Sequence, residues 1–491
     1  MPGTSFRPRP LWNEGNLRRI GTRLPDAPAS DAPPTEHEIE GNALSILLFI
    51  LGVLFVVVGI GASIALHEVG HLVPAKLFKV RVTQYMVGFG PTLWSRRKGE
   101  TEYGIKAIPA GGYISMIGMF PPGPTDDEGR ARQSGTGVFQ QLTNDARQAA
   151  AVQLQPGDEK RVFYKLPIYK RIIIMLGGPL MNLLIGIVLF AVLIMGFGTA
   201  QATTTVAEVY KCVVSADRQA ETGQTDCADG DPAAPAFEAG LQPGDRILTF
   251  DGRDVESWDQ FSEWIREAAG RSVPISYVRD GETRSSSITP LLTERPVAGP
   301  DGQAQVDADG SPITKEVGFI GIGSQQELVP QPASEVLPAV GDSLARVTGV
   351  VLNLPQRVVD VGEAAFSDAP RDPEGPISVV GVGRIAGEVS AMEEIPLKAR
   401  AATLVGLVGG VNLALFVFNL IPLLPLDGGH VAGALWEGLR RTVARIFRRP
   451  DPGPFDMAKL LPLTYAVAVL LMGMGILLIY ADIVKPVDLF G

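Results

Sequence analysis

The sequence predicts a polytopic α-helical membrane protein: four transmembrane helices, a membrane-associated β-hairpin region and an α+β domain outside the bilayer. Three observations predict it. Four apolar stretches, at 42–79, 172–198, 401–430 and 461–481, are each long enough to cross a bilayer. Between the first two lie short β-like runs punctuated by glycine. Between the second and third lies an insert patterned like a folded soluble domain.

Composition narrows the class. The chain has 491 residues, a net charge of −10 and 46% hydrophobic residues. That balance suits a few spans with sizeable soluble parts rather than a many-span transporter. Net acidity without a long basic run argues against nucleic acid as a partner. With only two cysteines, Cys212 and Cys227, the composition argues against a thiolate zinc site or an iron–sulfur cluster.

Residues 1–41, rich in Pro, Arg and Asp, predict a disordered tail. About 24 uncharged residues from Asn42 to Ala65 follow, an uncleaved membrane helix rather than a signal peptide. This span runs directly into His67-Glu68-Val69-Gly70-His71. Two imidazoles four residues apart share one helix face, with a carboxylate beside the first. Ionisable groups running on from a span are costly to bury, so by default they read as functional. Pro74 cannot donate to the Gly70 carbonyl, which predicts a kink or a helix end there.

Residues 80–120 predict hairpin strands, and 121–171 a polar cytoplasmic loop. The second span, 172–198, carries Gly177-Gly178-Pro179-Leu180-Met181-Asn182. Its small residues permit close helix packing, while Asn182 is a polar group seeking a partner in the bilayer. Within the 199–325 insert, Gly240-Leu241-Gln242-Pro243-Gly244-Asp245 is a tight turn into a strand. A helix with Trp258, Phe261, Trp264 and Ile265 at helical spacing follows. That succession resembles a PDZ domain, a fold that holds peptides by adding a strand to a sheet edge. The aromatic stripe is then the domain's own core. Cys212 and Cys227 bracket a polar loop, as a disulfide fitting an extracytoplasmic insert or as two free thiols.

Residues 326–400 predict amphipathic helices around 336–361 and contain Gly375-Pro376-Ile377-Ser378. The third span carries Asn412 and Asn419 and ends at Asp427-Gly428-Gly429-His430. Its prolines and glycines make the helix irregular, which is tolerated at membrane depth only where protein or a cavity satisfies the backbone. A basic loop, 431–460, the fourth span and a tail at 482–491 complete the chain. Basic residues flank the end of span one, the start of span two, the end of span three and the start of span four. The positive-inside rule makes those ends cytoplasmic and puts both termini and the insert outside the cell membrane. His67, His71 and Asp427 then share one depth, near the cytoplasmic side.

A catalytic zinc wants three protein ligands and an open position. His67 and His71 supply two. Asp427 suits the third, with His430 as its rival, and Glu68 is placed as general base. Assembled in this order, HEVGH, GGPLMN, the PDZ-like insert, GPIS and NLIPLLPLDGGH resemble the site-2 proteases, zinc intramembrane metalloproteases. The stretch from Val87 to Tyr113 is most similar to actinobacterial members, which carry a single PDZ domain. The resemblance implies Zn2+ held by His67, His71 and Asp427, with Glu68 catalytic. It implies that Asn419 and Pro422, with Asn182 as a further asparagine, handle the substrate. It further implies single-span membrane substrates of the anti-sigma factor type, first cut by a site-1 protease. Two other classes compete. An ion transporter would scatter acids through several spans and show an inverted repeat. A non-proteolytic PDZ membrane scaffold would be expected to lack Glu68 or a ligand, and all four are present.

Overall fold

The computed structural model describes residues 36–121, 155–214, 227–228, 230–297, 313–367, 371–372 and 375–487. Most of the expected tail and of the 121–171 loop lies outside the described residues. Among those described, four helices are long and apolar enough to cross a membrane. Helix α1 runs Glu36–Leu77, starting before the expected boundary because its acidic residues are helical too. It passes through Pro74 for one more turn instead of breaking there. The Gly70 carbonyl that Pro74 leaves free faces the backbone of Gly177 on α2 (Ile168–Ala191). A Cβ at either glycine would overlap the other's carbonyl, so the two helices cross backbone to backbone.

Strands β1 (Val82–Lys98) and β2 (Thr101–Met116) form more than one hairpin. Residues 84–87 of β1 pair with 102–105 on one side and with 112–115 on the other. The far half of β1 folds back, Trp94 opposite Ile105 and Lys98 opposite Thr101. The outcome is a small folded-over sheet in which 112–116 pairs on one edge only among the described residues. Tyr85 ties this sheet to α1, its hydroxyl donating to the Ala65 carbonyl at 2.8 Å. Arg161 grips Glu100 at the hairpin tip with two 2.6 Å bonds, and its guanidinium holds that carboxyl below the usual carboxylate range.

Past α2, a π-helical turn (Val192–Phe197) leads into the insert. Its sheet has the order β10 (Ile322–Val329), β3 (Thr199–Val209), β4 (Arg246–Phe250), β6 (Val273–Arg279), β7 (Glu282–Ile288), with β5 (Arg253–Asp254) on β4. Strands β8 (Leu291–Pro296) and β9 (Thr314–Phe319) make a separate ribbon. Phe261 and Ile265 of the amphipathic helix α4 (Trp258–Glu267), which follows the short helix α3 (Pro235–Glu238), pack with Phe250, Ile275 and Ile288 in the core. The stripe is core, as its spacing predicts. Gly240 and Gly244 have φ of 76° and 95°, which explains glycine at both ends of the turn. Leu241 is buried, and fully buried Asp245 takes two 2.7 Å bonds from Arg279. Cys212 and Cys227 are joined in a disulfide.

Helices α5 (Val336–Leu352), α6 (Leu354–Phe366) and α7 (Val379–Ala391) follow. The third span, α8 (Leu397–Asn419), ends at Asn419, not at His430. Residues 420–426 are irregular because Pro422 and Pro425 cannot donate to a helical ladder, and the Leu424–Pro425 bond is cis. The chain then restarts as α9 (Asp427–Ile446), where a basic loop was expected. Gly433, Ala434 and Glu437 give α9 one inward face, so it folds as a packed helix. The fourth span is α10 (Leu461–Val484). Fully buried Glu437 accepts from Arg171 at 2.6 Å and from the Phe455 N–H at 2.9 Å, which locks α9 to α2 and to the segment that leads into α10. At the opposite end of the bundle, Asp482 pairs with Arg371 at 2.5 Å and accepts the Ser378 N–H at 2.6 Å. The Gly375–Ser378 segment is thereby a clamp between α10 and α7.

Removing one partner of a buried ion pair leaves an uncompensated charge. Glu437→Ala is expected to destabilise the detergent-solubilised protein by about 3–5 kcal/mol in an unfolding titration, with the double replacement Arg171→Met/Glu437→Leu recovering most of it.

Candidate metal centre

His67 and His71 lie one turn apart on α1, and Asp427 is the first residue of α9. The three approach closely. His67 Nε2 and His71 Nε2 are 3.2 Å apart, and Asp427 Oδ2 is 3.2 Å from the first and 3.3 Å from the second. Their tautomers follow from the other ring nitrogens. His71 Nδ1 sits 2.7 Å from the Ile174 carbonyl, which can only accept, so Nδ1 carries the proton and Nε2 a lone pair. His67 Nδ1 is 3.1 Å from the Asn182 side-chain amide. Asn182 Oδ1 has no other hydrogen bond, and with the amide turned over it accepts the Nδ1 proton. Both Nε2 lone pairs and a carboxylate oxygen then face one point.

Such a set is unfavourable without a cation and well suited to one. Ligand atoms 2.0–2.1 Å from a tetrahedral zinc lie about 3.3–3.4 Å from one another, which matches the observed triangle. His67, His71 and Asp427 are the group of potential metal ligands found among the described residues. His430 stays outside it and lines a small cavity with Arg171 and Glu437.

The surroundings hold the triangle in place. Gly178 on α2 lies against both imidazoles, and a Cβ there would come within 2.7 Å of His67 Cε1 and Nε2. Glu68, 8% exposed, is met from the other side by the β sheet. The Ile114 N–H bonds its carboxylate, and a Cβ on Gly112 would be 2.9 Å from its Cγ. The unpaired edge of 112–116 therefore runs directly past Glu68. Gly112, Gly178 and the Ile174 carbonyl are parts of the site that sequence spacing does not reveal. Of these only Gly178 left a trace, as one of the small packing residues expected in the second span.

Of the other expected residues, Asn182 contacts His67 itself. Asn419 donates to the Leu415 carbonyl of its own helix at 3.0 Å, and Pro422 is exposed in the irregular 420–426 segment. Asn412 is fully buried and donates at 2.8 Å to Ser63 Oγ, joining α8 to α1 one turn before the histidines. Gly240, Leu241, Gly244 and Asp245 lie in the insert and shape its turn.

Comparison with known proteins places this geometry. The pattern of peptidase family M50 matches residues 55–448. The chain belongs to peptidase family M50. The resemblance to site-2 proteases carried by HEVGH and its companion motifs is thereby confirmed. The zinc metalloprotease Rip1 of Mycobacterium tuberculosis is 33% identical over 90% of this chain and 100% of its own length. The metalloprotease MmpA of Caulobacter vibrioides is 26% identical over 82% of this chain and 89% of its own. A putative zinc metalloprotease of Clostridium perfringens is 26% identical over 89% and 99%. Among solved structures, the PDZ domain of an SdrC-like protein from Listeria monocytogenes is 22% identical and covers 24% of this chain and 90% of its own. Its TM-score is 0.13, too low to carry an argument.

Two substitutions test the supports around this M50 site. Gly178→Ala is expected to abolish metal binding while leaving circular dichroism unchanged. Asn182→Leu is expected to weaken zinc binding about 10–100-fold in a competition titration with a chromophoric chelator.

Proposed function

We propose that this M50 peptidase is a zinc-dependent intramembrane endopeptidase that cuts the membrane segment of single-span proteins. The observation that carries this reading is the convergence of His67 Nε2, His71 Nε2 and Asp427 Oδ2 at 3.2–3.3 Å, with Glu68 beside them. Zinc held there supplies Lewis acidity and lowers the pKa of water at the site toward about 7. Glu68 takes the proton from the attacking water and delivers it to the leaving amine. Asn182 and the Ile174 carbonyl keep both imidazoles in the tautomer that leaves Nε2 free.

A helical substrate hides its carbonyls, so it must be unwound before attack. The open edge of 112–116 supports a route: an extended substrate strand pairs with it and lies against Glu68. Asn419 and Pro422, in and beside the irregular segment leading to Asp427, complete the substrate-handling set that family membership suggests.

The orientation proposed places the metal site near the cytoplasmic face of the cell membrane and the insert and both termini outside. Basic residues at Lys76, Lys79, Lys170 and Arg171 support it, as does the Cys212–Cys227 disulfide, which persists in an oxidising compartment. The insert is read as a PDZ domain that inspects the substrate's outer part. The substrate class is an anti-sigma factor already shortened by a site-1 protease.

The test uses purified full-length protein and a helical membrane-segment reporter. Wild type and Glu68→Gln are each expected to bind about one zinc per chain, while Glu68→Gln cleaves about 10²–10⁴-fold more slowly. Chelation is expected to stop cleavage and added zinc to restore it. Equal cleavage by Glu68→Gln, or full zinc retention by His67→Ala/His71→Ala, would overturn the reading.

A further inference from the structure

Helix α9 has a second face that the metal site does not use. Leu435, Leu439, Val443 and Ile446 recur at helical spacing on one stripe, with Trp436 beside them. All five point away from the protein: Trp436 is 51% exposed, Leu439 54% and Ile446 69%. The opposite side, Gly433, Ala434, Glu437 and Ala444, is buried. Exposed apolar groups on α1, α2, α8 and α10 are those of membrane spans, but α9 is not one of the four. Glu437, Arg440, Arg441 and Arg445 all lie along it, and it connects two spans on the same side of the bundle.

Charge is arranged around this stripe. Arg440 and Arg441 are engaged with the Pro452 carbonyl, Glu437 and Asp451. Arg445, Arg448 and Arg449 are exposed, cluster at the C-terminal end and make no ion pair among the described residues. A cavity of about 200 Å³ opens beside Trp436, lined by Pro422, Leu423, Ala432, Phe455 and Leu463 among others and by no charged side chain. An apolar stripe rimmed by arginine is the signature of a helix lying in the membrane interface.

The geometry points to α9 as an interfacial helix that binds anionic lipid. Leu435, Trp436, Leu439, Val443 and Ile446 enter the acyl boundary beside the apolar cavity, and Arg445, Arg448 and Arg449 hold anionic headgroups. A solvated face would not gather five large apolar side chains. A protein partner would not require three uncompensated arginines to gather at the end of the stripe. Because Asp427 opens the same helix, the interfacial seat and the metal ligand share one rigid element.

The test places the full-length protein in nanodiscs and reads the emission lost in Trp436→Phe, which isolates Trp436 from the other tryptophans. This signal is expected to be quenched by lipids brominated on the acyl chain and protected from aqueous iodide. At equal minority fractions, brominated phosphatidylglycerol is expected to be enriched at Trp436 roughly tenfold over brominated phosphatidylcholine. Arg445→Gln/Arg448→Gln/Arg449→Gln is expected to return that ratio to about one while zinc content stays unchanged. Quenching by iodide rather than bromine would put the stripe in water and overturn the proposal. So would protection from both quenchers with disulfide-linked dimers forming through Leu439→Cys, which would make the face a contact between copies. Bromine quenching with no headgroup preference would overturn the anionic site.

Discussion

Three electron-rich atoms from segments far apart in the chain, His67 Nε2 and His71 Nε2 on one side and Asp427 Oδ2 on the other, are held within 3.2–3.3 Å of one another. Left to themselves they would separate, since lone pairs and a carboxylate repel in a medium with little water. Packing keeps them together. The crossing of α1 and α2 at Gly70 and Gly177 brings Gly178 against both imidazoles, and that approach has no room for a side chain. The Arg171–Glu437 pair fixes α9 against α2, and α9 begins with Asp427. The metal site is thus the place where three separately anchored helices meet.

The bilayer imposes a second constraint, that backbone polar groups need partners wherever lipid surrounds them. The two irregular parts of the membrane domain, the folded-over sheet at 82–116 and the break at 420–426, both adjoin the site. The sheet satisfies most of its groups through its own ladders and leaves one edge open beside Glu68. In the proposed reading a substrate strand meets the same rule there, its unwound backbone finding donors and acceptors on that edge. Open backbone, costly elsewhere in a membrane protein, is the feature on which the proposed capture of a peptide rests.

The end of the bundle that carries the insert follows different physics. The insert has an ordinary aromatic and aliphatic core built on Phe250 and Phe261, and its GLQPGD turn is stapled by Asp245 and Arg279. Asp482, Arg371 and the Gly375–Ser378 segment tie the end of α10 to α7. GPIS, legible in the sequence only as a family motif, is explained by that clamp: the Ser378 N–H donates to Asp482 while its hydroxyl caps α7.

What the sequence determined by itself was whatever depends on local spacing and composition. Uncharged runs of span length, imidazoles at i and i+4 and an alternating segment after the first span each act within a few residues, so the spans, two of the candidate ligands and the β region were legible. So was the amphipathic helix of the insert. Choosing between Asp427 and His430 was not a local matter: both sit on one helical turn, and only the docking of α9 against α1 and α2 brings Asp427 Oδ2 to the histidines. The same docking turned an expected basic loop into a packed helix, because the inward face of Gly433, Ala434 and Glu437 has meaning only opposite Arg171. Asn182 read as a polar group seeking a partner in the bilayer, and only the crossing of α1 and α2 lays its amide on His67. Glycines 112 and 178 matter for what a Cβ would strike, and that neighbour is distant in sequence. Ligand identity, tautomer and the open strand edge were decided by tertiary contact, since each depends on atoms brought together from segments far apart in the chain.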